Sequence, residues 1–129
     1  MPSRKTKTKA VQIGIHTVTL LPGESEKRIA QIAAEVRGEW EPCGVVEECD
    51  CDTIVHARFK LERYDRYFDH FVRSGIRAED IRGAQRTYQA ALKLAEDTLT
   101  IARENPRRKP PSRATDIDLA AMPVRAMVQ

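Results

Sequence analysis

Two apolar repeats in the second half of the chain are the feature that most constrains its fold. One lies between residues 54 and 71, the other between residues 81 and 102, and Ser74-Gly75 separates them. Apolar side chains recur in steps of three and four residues, which is the spacing of one face of a helix. They are Ile54, Ala57, Leu61, Tyr64, Phe68 and Phe71, then Ile81, Ala84, Tyr88, Ala91, Ala95 and Ala102, with Thr98 in the remaining slot and Leu92 and Leu99 flanking. The pattern predicts two long helices packed side by side.

A third helical pattern precedes this hairpin. Ser25 is a favourable N-cap, and Pro42 disfavours helical geometry at the residue before it. Between them, apolar residues fall on one face at Ile29, Ile32, Ala33, Val36 and Trp40. We therefore predict an all-α protein, a three-helix unit dominated by an antiparallel long-helix hairpin. The expected helices span about residues 25–41, 45–74 and 77–105, within a helical domain of residues 11–105.

Two apolar stretches fall outside these helical faces. Residues 11–21 are apolar and rich in β-branched side chains, but no second strand is evident to pair with them. We expect an extended segment that lies along the helices or pairs with another subunit. At the start of the second helix, Val45, Val46 and Cys49 lie off the apolar repeat, and we expect them to pack on the first helix.

Positive charge is concentrated near the two ends of the chain. The net charge is +3, yet residues 10–105 contain 13 basic and 17 acidic side chains. We predict a basic disordered arm at residues 1–10 and a Pro-rich basic linker at residues 106–115. The cations of these arms are Arg4, Lys5, Lys7, Lys9, Arg107, Arg108, Lys109 and Arg113. Such arms bind a polyanion in a salt-dependent way or serve only solubility.

A second basic candidate lies on the predicted hairpin. Arg63, Arg66, His70 and Arg73 are spaced so that they share the helix face opposite the apolar repeat. Arginines on such a stripe can contact phosphates, so Arg63, Arg66 and Arg73 are predicted nucleic-acid contacts. Acidic residues flank the stripe at positions 62, 65 and 69, and exposed ion pairs are the alternative explanation.

An apolar segment follows the basic linker. Residues 116–129 form a predicted docking tail, with Ile117, Leu119, Met122, Val124 and Met127 as its candidate contact residues. Docking on another subunit or a partner protein and folding back onto the chain's own core are both open.

No catalytic or metal-binding motif emerges from the sequence. Cys43, Cys49, Cys51 and His56 are the only cluster of potential metal ligands in the sequence. Structural zinc usually takes its four ligands from two well-spaced pairs, and no second pair accompanies Cys49 and Cys51. His16, His56 and His70 are scattered, so we predict a non-enzyme without cofactor. The sequence contains no apolar run long enough to predict a membrane span. Its three cysteines do not form a disulfide framework, which favours a reducing cytoplasm. With 5% aromatic residues the core is small, which favours a homo-oligomer.

Two resemblances extend this interpretation. Residues 16–24, which contain Leu-Pro-Gly-Glu, together with Glu47-Glu48 and residues 57–63, resemble small, mostly uncharacterised bacterial helical proteins. This resemblance covers about residues 15–72. The overall layout also resembles phage small terminase subunits. That likeness implies rings of helical-hairpin protomers that recognise viral DNA and dock a C-terminal segment on the large packaging subunit. No helix-turn-helix precedes this hairpin, unlike in many members of that family.

These observations favour a DNA-binding or assembly subunit of a phage or mobile element. The alternative is a protein–protein interaction adaptor whose hairpin or C-terminal tail binds a partner, with the arms acting only as solubilising segments.

Overall fold

The computed structural model describes residues 9–108, which form four helices and a small sheet. In chain order the elements are β1 (Ala10–Ile13), β2 (His16–Thr19), α1 (Glu26–Trp40), α2 (Gly44–Arg66), α3 (Phe68–Arg73) and α4 (Ala78–Arg103). The packing of α2 against α4 confirms the predicted hairpin. Contacts between the two helices join residue 58 to residue 96 and residue 64 to residue 88, so the helices are antiparallel.

The N-terminal segment folds differently from the prediction. β1 and β2 form an antiparallel pair in which Ile13 lies opposite His16, leaving Gly14-Ile15 as a two-residue turn. Gly14 has a φ of 59°, and glycine at the first central position suits a tight hairpin turn. The expectation of an unpaired extended segment is therefore wrong, because a glycine inside the apolar run lets the run pair with itself. The sheet begins at Ala10, within the arm expected to span residues 1–10.

The first helix agrees with its sequence signals. The Ser25 hydroxyl accepts a hydrogen bond from the Arg28 N–H at 3.2 Å, as an N-cap does. The helix ends at Trp40, and Glu41 takes a left-handed conformation with a φ of 45° immediately before Pro42. These local interactions set both ends of α1 within one residue of the prediction.

The helix predicted at residues 45–74 is instead two helices. Tyr67 departs from helical geometry, with φ −107° and ψ 16°, so α2 ends at Arg66 and α3 begins at Phe68. The Tyr67 hydroxyl donates a hydrogen bond to the Pro22 carbonyl at 3.2 Å. This hydrogen bond joins the residue at which α2 ends to the loop before α1. Because it is a tertiary interaction, no local sequence pattern predicts it.

The central element of the fold is α2, which contacts both strands, α1, α3 and α4. Its buried side chains meet Val11, Ile13 and Val18 from the sheet, and residues from α1 and α4. Leu99, expected only to flank the repeat of α4, is fully buried in this core. The core therefore surrounds α2 rather than lying only between the two long helices.

Val45 and Val46 correct another expectation. Their side chains are 78% and 74% exposed, and Cys49 is exposed as well, so they do not pack on α1. Glu47 occupies the inward position instead and is buried. The first turn of α2 thus turns a carboxylate inward and two valines outward.

Candidate nucleic-acid interface

Four exposed arginines lie on the last turn of α2, on α3 and on the first three turns of α4. They are Arg66, Arg73, Arg82 and Arg86, and within residues 9–108 none of them forms an ion pair. The Arg82 guanidinium carbon lies 5.3 Å from the centre of the Phe68 ring, which joins α4 to α3. Unpaired guanidinium groups can bind phosphates bidentately. We call this region the basic end.

Lys9, a predicted phosphate contact, is bound to its own fold. Leu20 donates its N–H to the Lys9 carbonyl at 2.8 Å, and the Lys9 ammonium pairs with Glu26 at the start of α1. A cavity of about 230 Å³ joins the loop at residues 23–25, which precedes Glu26, to Arg66. Lys9 and Arg66 therefore both lie near the loop that leads into α1.

Only part of the predicted arginine stripe on the hairpin is exposed to solvent. Arg66 and Arg73 are exposed, as expected, but the Arg63 side chain is only 10% exposed and is held by Glu24. Its Nε and Nη2 atoms donate to the two Glu24 carboxylate oxygens at 2.9 and 2.7 Å, and Nη2 also donates to the Thr19 carbonyl at 2.8 Å. The expectation that Arg63 faces solvent is wrong, because its partner comes from a turn 39 positions earlier.

Glu24 belongs to the Leu-Pro-Gly-Glu turn, which explains the residues of that motif. The Glu24 N–H donates to the Leu21 carbonyl at 2.9 Å, with Pro22 and Gly23 as the central residues. Gly23 has a φ of 90°, as the third residue of a type II turn requires. Burial raises the pKa of Glu24, but hydrogen bonds from Arg63 and the Leu21 N–H lower it more, and the net pKa is lowered.

The opposite end of α2 is acidic. Residues 35–52 contain seven acidic side chains and one basic one, Arg37, which pairs with Glu48 and Asp52. We call this region the acidic end. Arg108 reaches it after α4 and donates to both Glu47 carboxylate oxygens and, from Nη2, to the Glu41 carbonyl at 2.8 Å. The hydrogen bond from Arg108 lowers the pKa of Glu47.

Arg108 was predicted as a phosphate contact on a free linker, and its placement differs. Its side chain is 16% exposed and is bound within the protein, whereas its neighbour Arg107 is exposed. Glu47 and Arg63 are 16 residues apart on α2, roughly 24 Å at 1.5 Å per residue. The Arg63–Glu24 and Arg108–Glu47 pairs therefore lie near opposite ends of one helix.

The histidines are not all scattered. The rings of His16 and His56 stack with their centres 4.2 Å apart, and the edge of Tyr88 meets His56 at 5.6 Å. Burial, and next the charge of His16, lower the pKa of His56 to about 4. Lys60 lies one turn along α2, and its pKa is lowered by burial. Residue 16 is on β2, so only the sheet brings this cluster together.

The cysteines are separated in space. Cys51 is buried in the core, and burial raises its pKa to about 11, whereas Cys49 is exposed. Within residues 9–108, no group of three or more His, Cys, Asp or Glu side chains is placed to hold a metal ion. In the same part of the chain, no helix has the length and apolar character needed to cross a membrane.

Sequence reasoning missed Arg82 and Arg86. They are four residues apart on α4, a spacing that places both on one side of the helix. That spacing was available in the sequence, but the contact of Arg82 with Phe68 of α3 was not. Several predicted contacts lie outside the described residues: Arg4, Lys5, Lys7, Lys109, Arg113, Ile117, Leu119, Met122, Val124 and Met127.

Comparisons of the chain with protein-family models, curated proteins and solved structures gave no match. Its function must therefore be argued from the geometry of its own residues.

Proposed function

We propose that this chain is a non-enzymatic DNA-binding and assembly subunit that binds duplex DNA through its basic end. The observation that carries the proposal is a set of four exposed arginines that form no ion pair within residues 9–108: Arg66, Arg73, Arg82 and Arg86. A small-terminase-like role in a phage or mobile element is the sharpest form of this proposal.

The charge balance of the basic end supports binding to a polyanion. The four arginines stand against Asp65, Asp69 and Asp80, which leaves one positive charge in excess, and Arg4, Lys5 and Lys7 raise the excess to four. Cations that replace condensed counterions on DNA give an affinity that falls steeply with salt. In the proposed mechanism, weak contacts of this kind are repeated around an oligomer, which multiplies their effect.

The outer face of α4 supports the assembly part of the proposal. Leu94 and Ile101 are 68% and 69% exposed and lie seven residues apart, so they share one face of the helix. An exposed apolar face of this kind is typical of a contact between proteins. In the proposed assembly this face joins copies of the chain.

The experiment is a titration of duplex DNA, followed by fluorescence anisotropy across a salt series. The double variant Arg82→Gln/Arg86→Gln removes two unpaired cations, and Arg77→Gln/Lys93→Gln removes two exposed cations that are paired with acids. We expect the first variant to reduce the slope of log affinity against log salt by about two, and the control to leave it nearly unchanged. Absence of binding at low salt, or equal losses in both variants, would contradict the proposal.

A second candidate is a protein-interaction adaptor, and the same face of α4 favours it. Here Leu94 and Ile101 bind a different protein rather than a second copy. Mass measurement in solution separates the two candidates. An oligomer that Leu94→Ser/Ile101→Ser converts to a monomer supports assembly, whereas a monomer that does not bind DNA supports the adaptor.

A further inference from the structure

The first turns of α2 present an apolar surface beside charged residues at the acidic end. Val45 and Val46 are 78% and 74% exposed, while Glu47 next to them is buried. Val46 and Asp50 are four residues apart and are therefore neighbours on the helix surface. Two adjacent exposed valines beside a half-buried carboxylate suit a ligand that carries both a cation and apolar side chains.

Arg108 fixes the place where the chain continues beyond this surface. Its guanidinium group makes three hydrogen bonds of 2.9 to 3.1 Å to the Glu47 carboxylate and one to the Glu41 carbonyl. Glu47 lies on the same first turn of α2 as Val45 and Val46, so Arg108 is held at the end of α2 that carries the exposed valines. Twenty-one residues follow Arg108 in the sequence.

The carboxylate of Asp50 is a second feature of this surface, because it has no cationic partner within residues 9–108. Burial, and next the charge of Glu47, raise the pKa of Asp50, and within the part of the chain that the structure describes no cation pairs with it. A nearby cation would offset this cost of holding a carboxylate out of water. Lys109 directly follows the anchored Arg108 in the sequence.

We propose that the acidic end is the docking surface for residues 116–129 of the same chain. Lys109 pairs with Asp50, and apolar side chains of the segment cover Val45 and Val46. The segment offers Ile117, Leu119, Met122, Val124, Met127 and Val128 for this contact. Ile117 is nine positions after Arg108, a reach of up to about 30 Å, so the surface lies within range. Tethering gives a local concentration in the millimolar range, which favours the chain's own segment over that of another molecule.

Hydrogen exchange on the full-length chain tests this proposal. Amides of residues 117–129 are expected to exchange at least tenfold more slowly than in a free peptide of residues 109–129. Val45→Ser/Val46→Ser should remove that protection, because it removes the apolar surface from exposed positions. The matched control, Val72→Ser/Ile76→Ser, removes two exposed apolar side chains at the other end of the hairpin and should retain it.

Three outcomes would overturn the proposal. They are peptide-like exchange in the unmodified chain, protection that persists in Val45→Ser/Val46→Ser, and protection that disappears on dilution because a second copy supplies the contact. DNA binding by the basic end is measured separately, and it should be unchanged in Val45→Ser/Val46→Ser. Failure of either proposal is thus distinguishable from failure of the other.

Discussion

A buried Glu–Arg pair lies near each end of α2, but the two pairs hold different parts of the chain. At the basic end Glu24 binds Arg63, and at the acidic end Glu47 binds Arg108. In each pair the carboxylate also accepts a backbone N–H, from Leu21 at 2.7 Å or from Cys43 at 2.9 Å. The first pair joins a turn inside the fold to the central helix, whereas the second holds only residues that follow the last helix.

This difference distinguishes the arginines that are bound inside the protein from those that are exposed. Arg63 and Arg108 were both expected to contact phosphates, and both are held inside the protein by glutamates. By contrast, Arg66, Arg73, Arg82 and Arg86 are exposed and have no ion pair within residues 9–108. Four substitutions or conditions, in decreasing order of expected effect, test this distinction between the two ends.

The largest effect is expected from Arg63→Met. Glu24 is 3% exposed and would keep a buried charge without its cation, which costs about 3 kcal/mol of unfolding free energy. Urea unfolding at pH 7 measures this loss. The double variant Glu24→Gln/Arg63→Met should recover more than half of it, because no unpaired charge remains. A loss below about 1 kcal/mol would show that water reaches Glu24.

A smaller effect is expected at the acidic end from Arg108→Met. Arg108 follows the last helix, so Glu47 can gain water when this partner is removed, and we expect a smaller loss of unfolding free energy than in Arg63→Met. The neighbouring Arg107→Met variant is the control, because Arg107 is exposed. If Arg108→Met destabilises the protein as much as Arg63→Met does, the two ends are equivalent and the comparison fails.

Lowering the pH tests the contribution of the stacked histidines to stability separately from that of the two Glu–Arg pairs. The folded-state pKa of His56, about 4, lies below its ordinary value of 6.5, so the protein is stabilised above pH 6.5 and loses this contribution as the pH falls towards 4. The pKa values of Glu24 and Glu47 are lowered from 4.5, so their contributions disappear only at lower pH. Allowing for partial solvation, we expect a loss of about 1 kcal/mol between pH 7 and 4.5.

Urea midpoints at the two pH values measure this loss. His56→Phe should flatten the dependence, and the control His70→Gln, at an exposed position, should preserve it. An unchanged pH profile in His56→Phe would assign the dependence to another group.

The smallest effect is expected from Arg77→Ala. The ion pair between Arg77 and Glu79 has side chains that are 70% and 75% exposed, and such pairs contribute little. We expect a change in unfolding free energy within about 0.5 kcal/mol, measured by the same urea titration. A larger loss would mean that exposed pairs at the basic end stabilise the fold, and that burial does not distinguish Arg63 from its neighbours.

Much of the helical architecture could be predicted because its signals are local. Ser25 and Pro42 bound α1, and the apolar repeats place α2 against α4. The β hairpin was missed because Gly14 was read as part of one apolar segment rather than as a turn. The break at Tyr67 was missed because its hydrogen-bond partner, the Pro22 carbonyl, is 45 positions away.

The candidate site was predictable only in part. Arg66 and Arg73 followed from their spacing, and Arg82 and Arg86 have the same kind of spacing on α4. Whether a given arginine is exposed does not follow from spacing, because that depends on a carboxylate that the fold brings to it. Stacking of His16 on His56 likewise requires the sheet to lie against α2.

The sequence by itself determined the positions of the main helices and the antiparallel hairpin, because caps and apolar periodicity act over a few residues. Only the tertiary structure decided which cations are free, because Arg63 and Arg108 meet partners 39 and 61 positions away. Burial makes the Arg63–Glu24 pair a fixed part of the fold, whereas the Arg108–Glu47 pair holds only residues that follow the last helix. Charge that is equivalent in the sequence is thus divided into arginines that hold the fold together and arginines that remain available for a partner.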